Sequence, residues 1–118
     1  MKPTILIVED DRATRHSLRM VLEVYGYTVK DFASAEDMAE ELPDPRSCLI
    51  LDVNLPGASG LETLGRLRAS GSSIPAVLVT GRPSDKLRDE AAHLDALAFF
   101  EKPINIDALL EAIESIRP

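Results

Sequence analysis

Cysteine is nearly absent from this chain: one residue, Cys48, among 118. No internal disulfide can form, which excludes a disulfide-stapled secreted scaffold. Long apolar runs are also missing. Nothing approaches the roughly 20 residues that a bilayer-spanning helix requires. The short apolar run after Met1-Lys2-Pro3-Thr4 cannot serve as the core of a signal peptide. A cytoplasmic location without membrane contact is therefore expected. Basic charge is in short supply, with 13 Lys and Arg against 20 Asp and Glu and a net charge of −7. Phosphate-backbone contacts need clustered Lys and Arg, so direct nucleic-acid binding is not expected. Linkers, low-complexity tracts and charge blocks are missing too, and residues 1–118 are expected to form a single domain of ordinary size. With 28% charged and 45% hydrophobic residues the composition is that of a folded globular chain.

What the chain does have is four short apolar runs that each end in polar groups. Ile5-Leu6-Ile7-Val8 leads into Glu9-Asp10-Asp11, and Cys48-Leu49-Ile50-Leu51 into Asp52. Ala76-Val77-Leu78-Val79 leads into Thr80, and Leu97-Ala98-Phe99-Phe100 into Glu101-Lys102-Pro103. Such runs between helical segments read as buried parallel strands, in which Cys48 is a core residue. Parallel strands bring their C-terminal ends to one edge of the sheet, where open α/β folds bind ligands. Carboxylates, a hydroxyl and an amine are thereby gathered at one rim.

Strand and helix signals alternate five times. Asp11 is a good N-cap for a first helix that should bury Leu18, Val21, Leu22 and Tyr25 and stop at Gly26. Thr28-Val29-Lys30-Asp31-Phe32 alternates in polarity, which suits an edge strand. Ser34-Ala35-Glu36-Asp37 is a capping box for a short helix ending before Pro43, and Ser59-Gly60-Leu61-Glu62 is another, for a helix carrying Leu61, Leu64 and Leu67 inward and stopping near Gly71. Ser84 caps a fourth helix that has few large apolar residues and should pack loosely. Asn105 caps a fifth, with Leu109, Leu110, Ile113 and Ile116 on one face. A (βα)5 alternation with a weakly apolar second strand predicts a doubly wound, three-layer α/β sandwich of flavodoxin-like type, its parallel five-stranded sheet in the order 2-1-3-4-5. Strands 1 and 3, ending at Asp10 and Asp52, are then neighbours about 4.8 Å apart at the topological switch point.

At that rim Glu9, Asp10 and Asp52 would crowd together. Two carboxylates about 4 Å apart repel by roughly 4 kcal/mol at an effective dielectric near 20. A shared proton or a bound cation relieves this, and oxygen donors without a nearby histidine favour Mg²⁺ or Mn²⁺ over zinc. Asp52, held on a buried strand beside a hard metal, is suited to accept a phosphoryl group. Lys102 could meet that group as a point charge, and Thr80 could hydrogen-bond to it. Pro103 restricts Lys102 and raises the prospect of a cis peptide bond. Each residue also has a plain structural explanation: a helix-dipole partner for Glu9 and Asp11, a turn-forming aspartate for Asp52, a surface lysine, a strand threonine.

Taken in order, Val8-Glu9-Asp10-Asp11, Leu51-Asp52-Val53-Asn54-Leu55-Pro56 with Ser59-Gly60, Val79-Thr80-Gly81 and Phe99-Phe100-Glu101-Lys102-Pro103 resemble the receiver domain of two-component response regulators. The likeness runs from Ile5 to Ile116. It implies that Asp52 is phosphorylated from a phosphohistidine on a sensor histidine kinase or a histidine phosphotransfer protein. It implies Mg²⁺ held by Asp10, Asp52 and the Asn54 backbone carbonyl, with Glu9 acting through water. Lys102 would pair with the phosphoryl oxygens, Thr80 would swing toward them, and Phe99 would turn inward. The surface of helix 4, strand 5 and helix 5 would then signal to an output domain or partner. Asn54 and Arg82 stand at positions that tune loss of the phosphoryl group. The family usually has Gly-Ala before the fifth strand, whereas this chain has Asp95-Ala96.

Three rival functions fit the residues less well. A haloacid-dehalogenase-like phosphohydrolase with an aspartate nucleophile would carry Asp-x-Asp, but Asp52-Val53-Asn54 lacks the second acid. A flavin domain would need a phosphate-cradling loop where Glu9-Asp10-Asp11 would repel phosphate. A degenerate receiver serving only as a protein-interaction module would be expected to have lost the acceptor, the lysine or the acids, and all are present. A signalling phosphoacceptor, rather than an enzyme acting on a separate substrate, is the expected function.

Overall fold

The computed structural model describes residues 2–39 and 44–116. Its elements alternate throughout: β1 (Ile5–Val8), α1 (Arg12–Val24), β2 (Val29–Phe32), α2 (Ala35–Ala39), β3 (Cys48–Asp52), α3 (Gly60–Ala69), β4 (Ala76–Thr80), α4 (Asp85–His93), β5 (Ala98–Glu101) and α5 (Ile106–Glu114). The strands form one parallel sheet in the order β2-β1-β3-β4-β5. This is the doubly wound arrangement expected from the alternation.

Successive strand residues point to opposite faces, and the sheet sorts them accordingly. Ile5, Ile7, Cys48, Ile50, Val77 and Val79 pack with Leu18, Leu22, Leu109 and Ile113 of α1 and α5. Leu6, Val8, Leu49, Leu51 and Leu78 pack with Met38, Leu64 and Ala91 of α2, α3 and α4. Helices thus cover both faces, which is why β1, β3 and β4 are apolar without alternation and wholly buried. Cys48 is completely buried, and burial pushes its thiol up to about 12. It is a core residue.

The helix starts follow the caps read from the sequence. Asp11 accepts from the Thr14 amide at 2.9 Å, Ser84 from the Leu87 amide and Asn105 from the Ala108 amide. Ser59 and Glu62 close a reciprocal capping box on α3. Ser34 caps α2 through the Asp37 amide; the expected end of that helix before Pro43 lies outside the described residues. In α4 only Ala91 is fully buried, with Leu87 half-buried against the same core.

Two expectations fail. Tyr25 is exposed (49%), and Tyr27 fills the core position instead. Gly26, at φ +89°, ends α1 with a left-handed turn that leaves Tyr25 outside and carries the chain back over the core at Tyr27. The apolar run at Phe99-Phe100 belongs to a half-buried strand, because β5 is the sheet edge opposite β2. The turn after α4 is made by Asp95 at φ +53°. Aspartate tolerates this left-handed conformation better than most side chains, so a glycine is not required there. The Arg68 guanidinium secures that turn, donating to the carbonyls of Leu94 (2.7 Å) and Ile74 (2.9 Å).

Candidate functional site

The C-terminal ends of β1, β3, β4 and β5 meet as the topology requires. Glu9 and Asp10 follow β1, Asp52 closes β3, Thr80 closes β4, and Lys102 follows β5. The main chain ties these ends together: the Glu9 amide donates to the Phe32 carbonyl at 3.0 Å, Val53 to Val79 at 2.8 Å, and Lys102 to Thr80 at 2.9 Å.

Lys102 is the hub. Its ammonium donates to Asp52 Oδ2 at 2.7 Å and to Glu9 Oε1 and Oε2 at 2.9 and 3.2 Å. Both carboxylates are buried, with only 6% of each side chain exposed. The remaining Asp52 oxygen, Oδ1, accepts from the Asn54 amide at 2.8 Å. The Lys102–Pro103 peptide is cis.

The acids divide the charge unequally. Burial, together with a hydrogen bond to Asp52, pushes Glu9 up to about 7, against the opposing pull of Lys102. Burial would raise Asp52 as well, but hydrogen bonds from Glu9, Lys102 and the Asn54 amide outweigh it and hold Asp52 below the usual carboxylate range. Burial works against the Lys102 charge, yet bonds to Asp52 and Glu9 carry its pKa above the ordinary lysine value. Near neutral pH Asp52 is therefore ionised, while Glu9 carries the proton for much of the time. The crowding inferred from the sequence is relieved in part by the Lys102 ammonium, which bridges both acids, and the raised Glu9 pKa marks the repulsion and burial that remain.

Oxygens of Glu9, Asp10 and Asp52 lie within 4.8 Å of one another, a spacing that can hold a metal ion. Asp10 is exposed while the other two are buried, so the donor set opens to solvent on one side. All-oxygen donors favour a hard divalent cation over zinc.

Thr80 is completely buried, and two N–H donors reach its hydroxyl oxygen. Its Oγ1 accepts from Asn54 Nδ2 at 3.0 Å and from the Arg82 amide at 3.0 Å. Phe99 lies on the same sheet face as Thr80, because Leu78 pairs with Phe99 and Thr80 stands two residues beyond Leu78. The Arg88 guanidinium of α4 sits 5.2 Å from the Phe99 ring centre.

Sequence reasoning missed two supporting residues. Arg15 of α1 donates to the Glu9 carbonyl at 2.8 Å and to Asp31 at 3.0 Å, bracing the turn that presents the acids. Gly60 opens α3 against the end of β3, and a Cβ built there would lie 2.3 Å from the Asp52 carbonyl oxygen. The Ser-Gly pair was visible in the sequence, but the reason for its glycine was not. Glu101, which shares the run that ends at Lys102, is simply exposed.

Comparison with known proteins comes from three directions. Residues 5–114 match the family described as the response regulator receiver domain. Over 115 residues the chain is 37% identical to the transcriptional regulatory protein FixJ of Bradyrhizobium diazoefficiens, covering 97% of this chain and 56% of that protein. It is 38% identical over 122 residues to the response regulator MprA of Mycobacterium bovis, covering 98% and 51%. The crystal structure of FixJ-N superposes with a TM-score of 0.81 at 30% identity, covering 100% of this chain and 98% of that one. The chain spans about half the length of the curated relatives it matches.

Proposed function

Because the chain belongs to the response regulator receiver family, a family of signalling domains, we propose that Asp52 accepts a phosphoryl group from a phosphohistidine. The donor is a sensor histidine kinase or a histidine phosphotransfer protein, and residues 1–118 act as a single receiver domain in the cytoplasm. The observation that carries this reading is the Asp52 carboxylate, ionised and bonded at 2.7 Å to Lys102 at the open rim of the sheet.

An ionised Asp52 oxygen attacks phosphorus, forming the O–P bond as the P–N bond to histidine breaks and its electron pair returns to the imidazole nitrogen. Lys102, already beside Asp52, follows the phosphoryl oxygens as negative charge gathers on them. The Asn54 amide keeps the acceptor carboxylate in place. Asp10, Asp52 and the Asn54 carbonyl would hold Mg²⁺ or Mn²⁺, with Glu9 acting through water; the cation would neutralise charge on the transferring group. Thr80 and Phe99, on one face of the sheet, are the residues whose movement carries the change to the surface of α4, β5 and α5. Arg82, exposed beyond Thr80, and Asn54 tune how long the phosphoryl group persists.

Two relatives bear regulatory names, one of them transcriptional, which supports an output domain or partner on that surface. Among the described residues no helix is long and apolar enough to cross a membrane. Phosphorylation with acetyl phosphate and Mg²⁺, followed by hydroxylamine treatment and peptide mapping, tests the chemistry. A hydroxylamine-labile group on the peptide containing Asp52 is expected. A stable group, or one on another peptide, contradicts the reading.

A further inference from the structure

The bond between Asn54 and Thr80 links the acceptor loop to the residue expected to move. Asn54 is exposed, on the loop between β3 and α3, whereas Thr80 is completely buried at the end of β4. The two lie 26 positions apart in the chain and meet at 3.0 Å through Asn54 Nδ2 and Thr80 Oγ1. Oγ1 also accepts from the Arg82 amide at 3.0 Å. A hydroxyl oxygen has two acceptor sites, and two N–H donors fill them. Thr80 cannot turn about its Cα–Cβ bond without breaking both.

The same Asn54 touches Asp52: its backbone amide donates to Oδ1 at 2.8 Å. One residue therefore grips the acceptor with its main chain and the switch hydroxyl with its side chain. We propose that Asn54 is a positioning residue that latches Thr80 in its unphosphorylated orientation, and that phosphorylation of Asp52 loosens the latch through the Asn54 amide. The inference rests on the reading of Asp52 as acceptor and Thr80 as the moving group. It assigns Asn54 a part in the conformational step, separate from any effect on loss of the phosphoryl group. Phosphorylation then both offers Thr80 a new partner and weakens its old one.

A neutral hydrogen bond of this kind shifts an equilibrium by roughly two- to tenfold. The test is the Thr80 side-chain rotamer distribution, from three-bond couplings to its γ-methyl group in the unphosphorylated protein. Wild type is compared with Asn54→Ala, which removes the donor, and with Asn54→Leu, which removes it while keeping bulk. Wild type should hold one dominant rotamer, with the minor population rising roughly two- to tenfold in both variants. Unchanged populations in both overturn the latch. Release in Asn54→Ala but not in Asn54→Leu also overturns it, since packing rather than the donor would then hold Thr80. The same samples are treated with acetyl phosphate and Mg²⁺ and weighed by intact mass. No added phosphoryl group on the wild type would refute the acceptor reading, while the rotamer comparison, which needs no phosphoryl group, still decides the latch.

Discussion

Glu9 and Asp52 are chemically similar side chains, a few ångströms apart, with opposite behaviour. The proton goes to Glu9 because burial and Asp52 together raise it to about 7, while Asp52 gains donors from two further directions. The sign for stability follows. Between about pH 4.5 and 7 folded Glu9 keeps a proton that the unfolded chain has lost, so its contribution to stability is complete below that range and disappears as pH rises through 7. Thermal melts in chelator should show wild type losing on the order of 2 kcal/mol from pH 5 to 8 relative to Glu9→Gln. Parallel pH profiles for the two proteins would contradict this. A proton on Glu9 removes a negative charge that would favour a cation at the rim, so Mg²⁺ affinity should rise with pH up to about 7 and then level off, as titration calorimetry would record.

Lys102 is a second test at the residue scale. Removing it leaves two buried carboxylates without their shared ammonium. Lys102→Ala should cost about 1–3 kcal/mol at neutral pH, discounted for the partial exposure of the lysine, and less at pH 5. Chemical denaturation at the two pH values gives the comparison; an equal cost at both would mean that charge is not the cause. The strand-end positions of Asp52, Thr80 and Lys102 were legible in the sequence, since each follows an apolar run. The partner of Thr80 was not. The bond from Asn54 depends on the path of the loop after β3, and no local pattern encodes that path.

At the scale of elements, capping residues placed the starts of the five described helices, because each start is decided by one side chain and its own backbone. Tyr25 and Tyr27 show where that logic stops. Helical spacing projects Tyr25 onto the buried face, but the left-handed turn at Gly26 ends the spacing and the next aromatic takes the place. The junction of β3 and α3 was likewise readable as a cap and unreadable as a contact. Gly60→Ala should force the helix start away from the Asp52 carbonyl, costing about 1–3 kcal/mol by overpacking and slowing phosphorylation. Melting temperature and the rate with acetyl phosphate check it. A variant with wild-type values for both would show that α3 yields without moving Asp52.

Across the whole molecule, the parallel sheet converts four separate stretches of sequence into one rim. The order β2-β1-β3-β4-β5 brings β1 beside β3, and with it Glu9 and Asp10 beside Asp52. That juxtaposition was inferable from alternation and polarity alone, whereas the bracing by Arg15 and Arg68 spans elements and needs the fold. A cation that binds only the assembled rim stabilises the whole fold. At 100 times its dissociation constant Mg²⁺ should add about 2.7 kcal/mol, seen as a raised melting temperature that Asp10→Ala diminishes. No shift in wild type at millimolar Mg²⁺ would count against the metal site.

The central claim, that Asp52 is a Mg²⁺-dependent phosphoacceptor, is tested most directly by intact mass after incubation with acetyl phosphate. The protein is incubated with Mg²⁺, with chelator, and as Asp52→Asn. One added phosphoryl group is expected in the presence of Mg²⁺, and none with chelator or in the variant. A phosphoryl group on Asp52→Asn, or one that forms equally well in chelator, would contradict it.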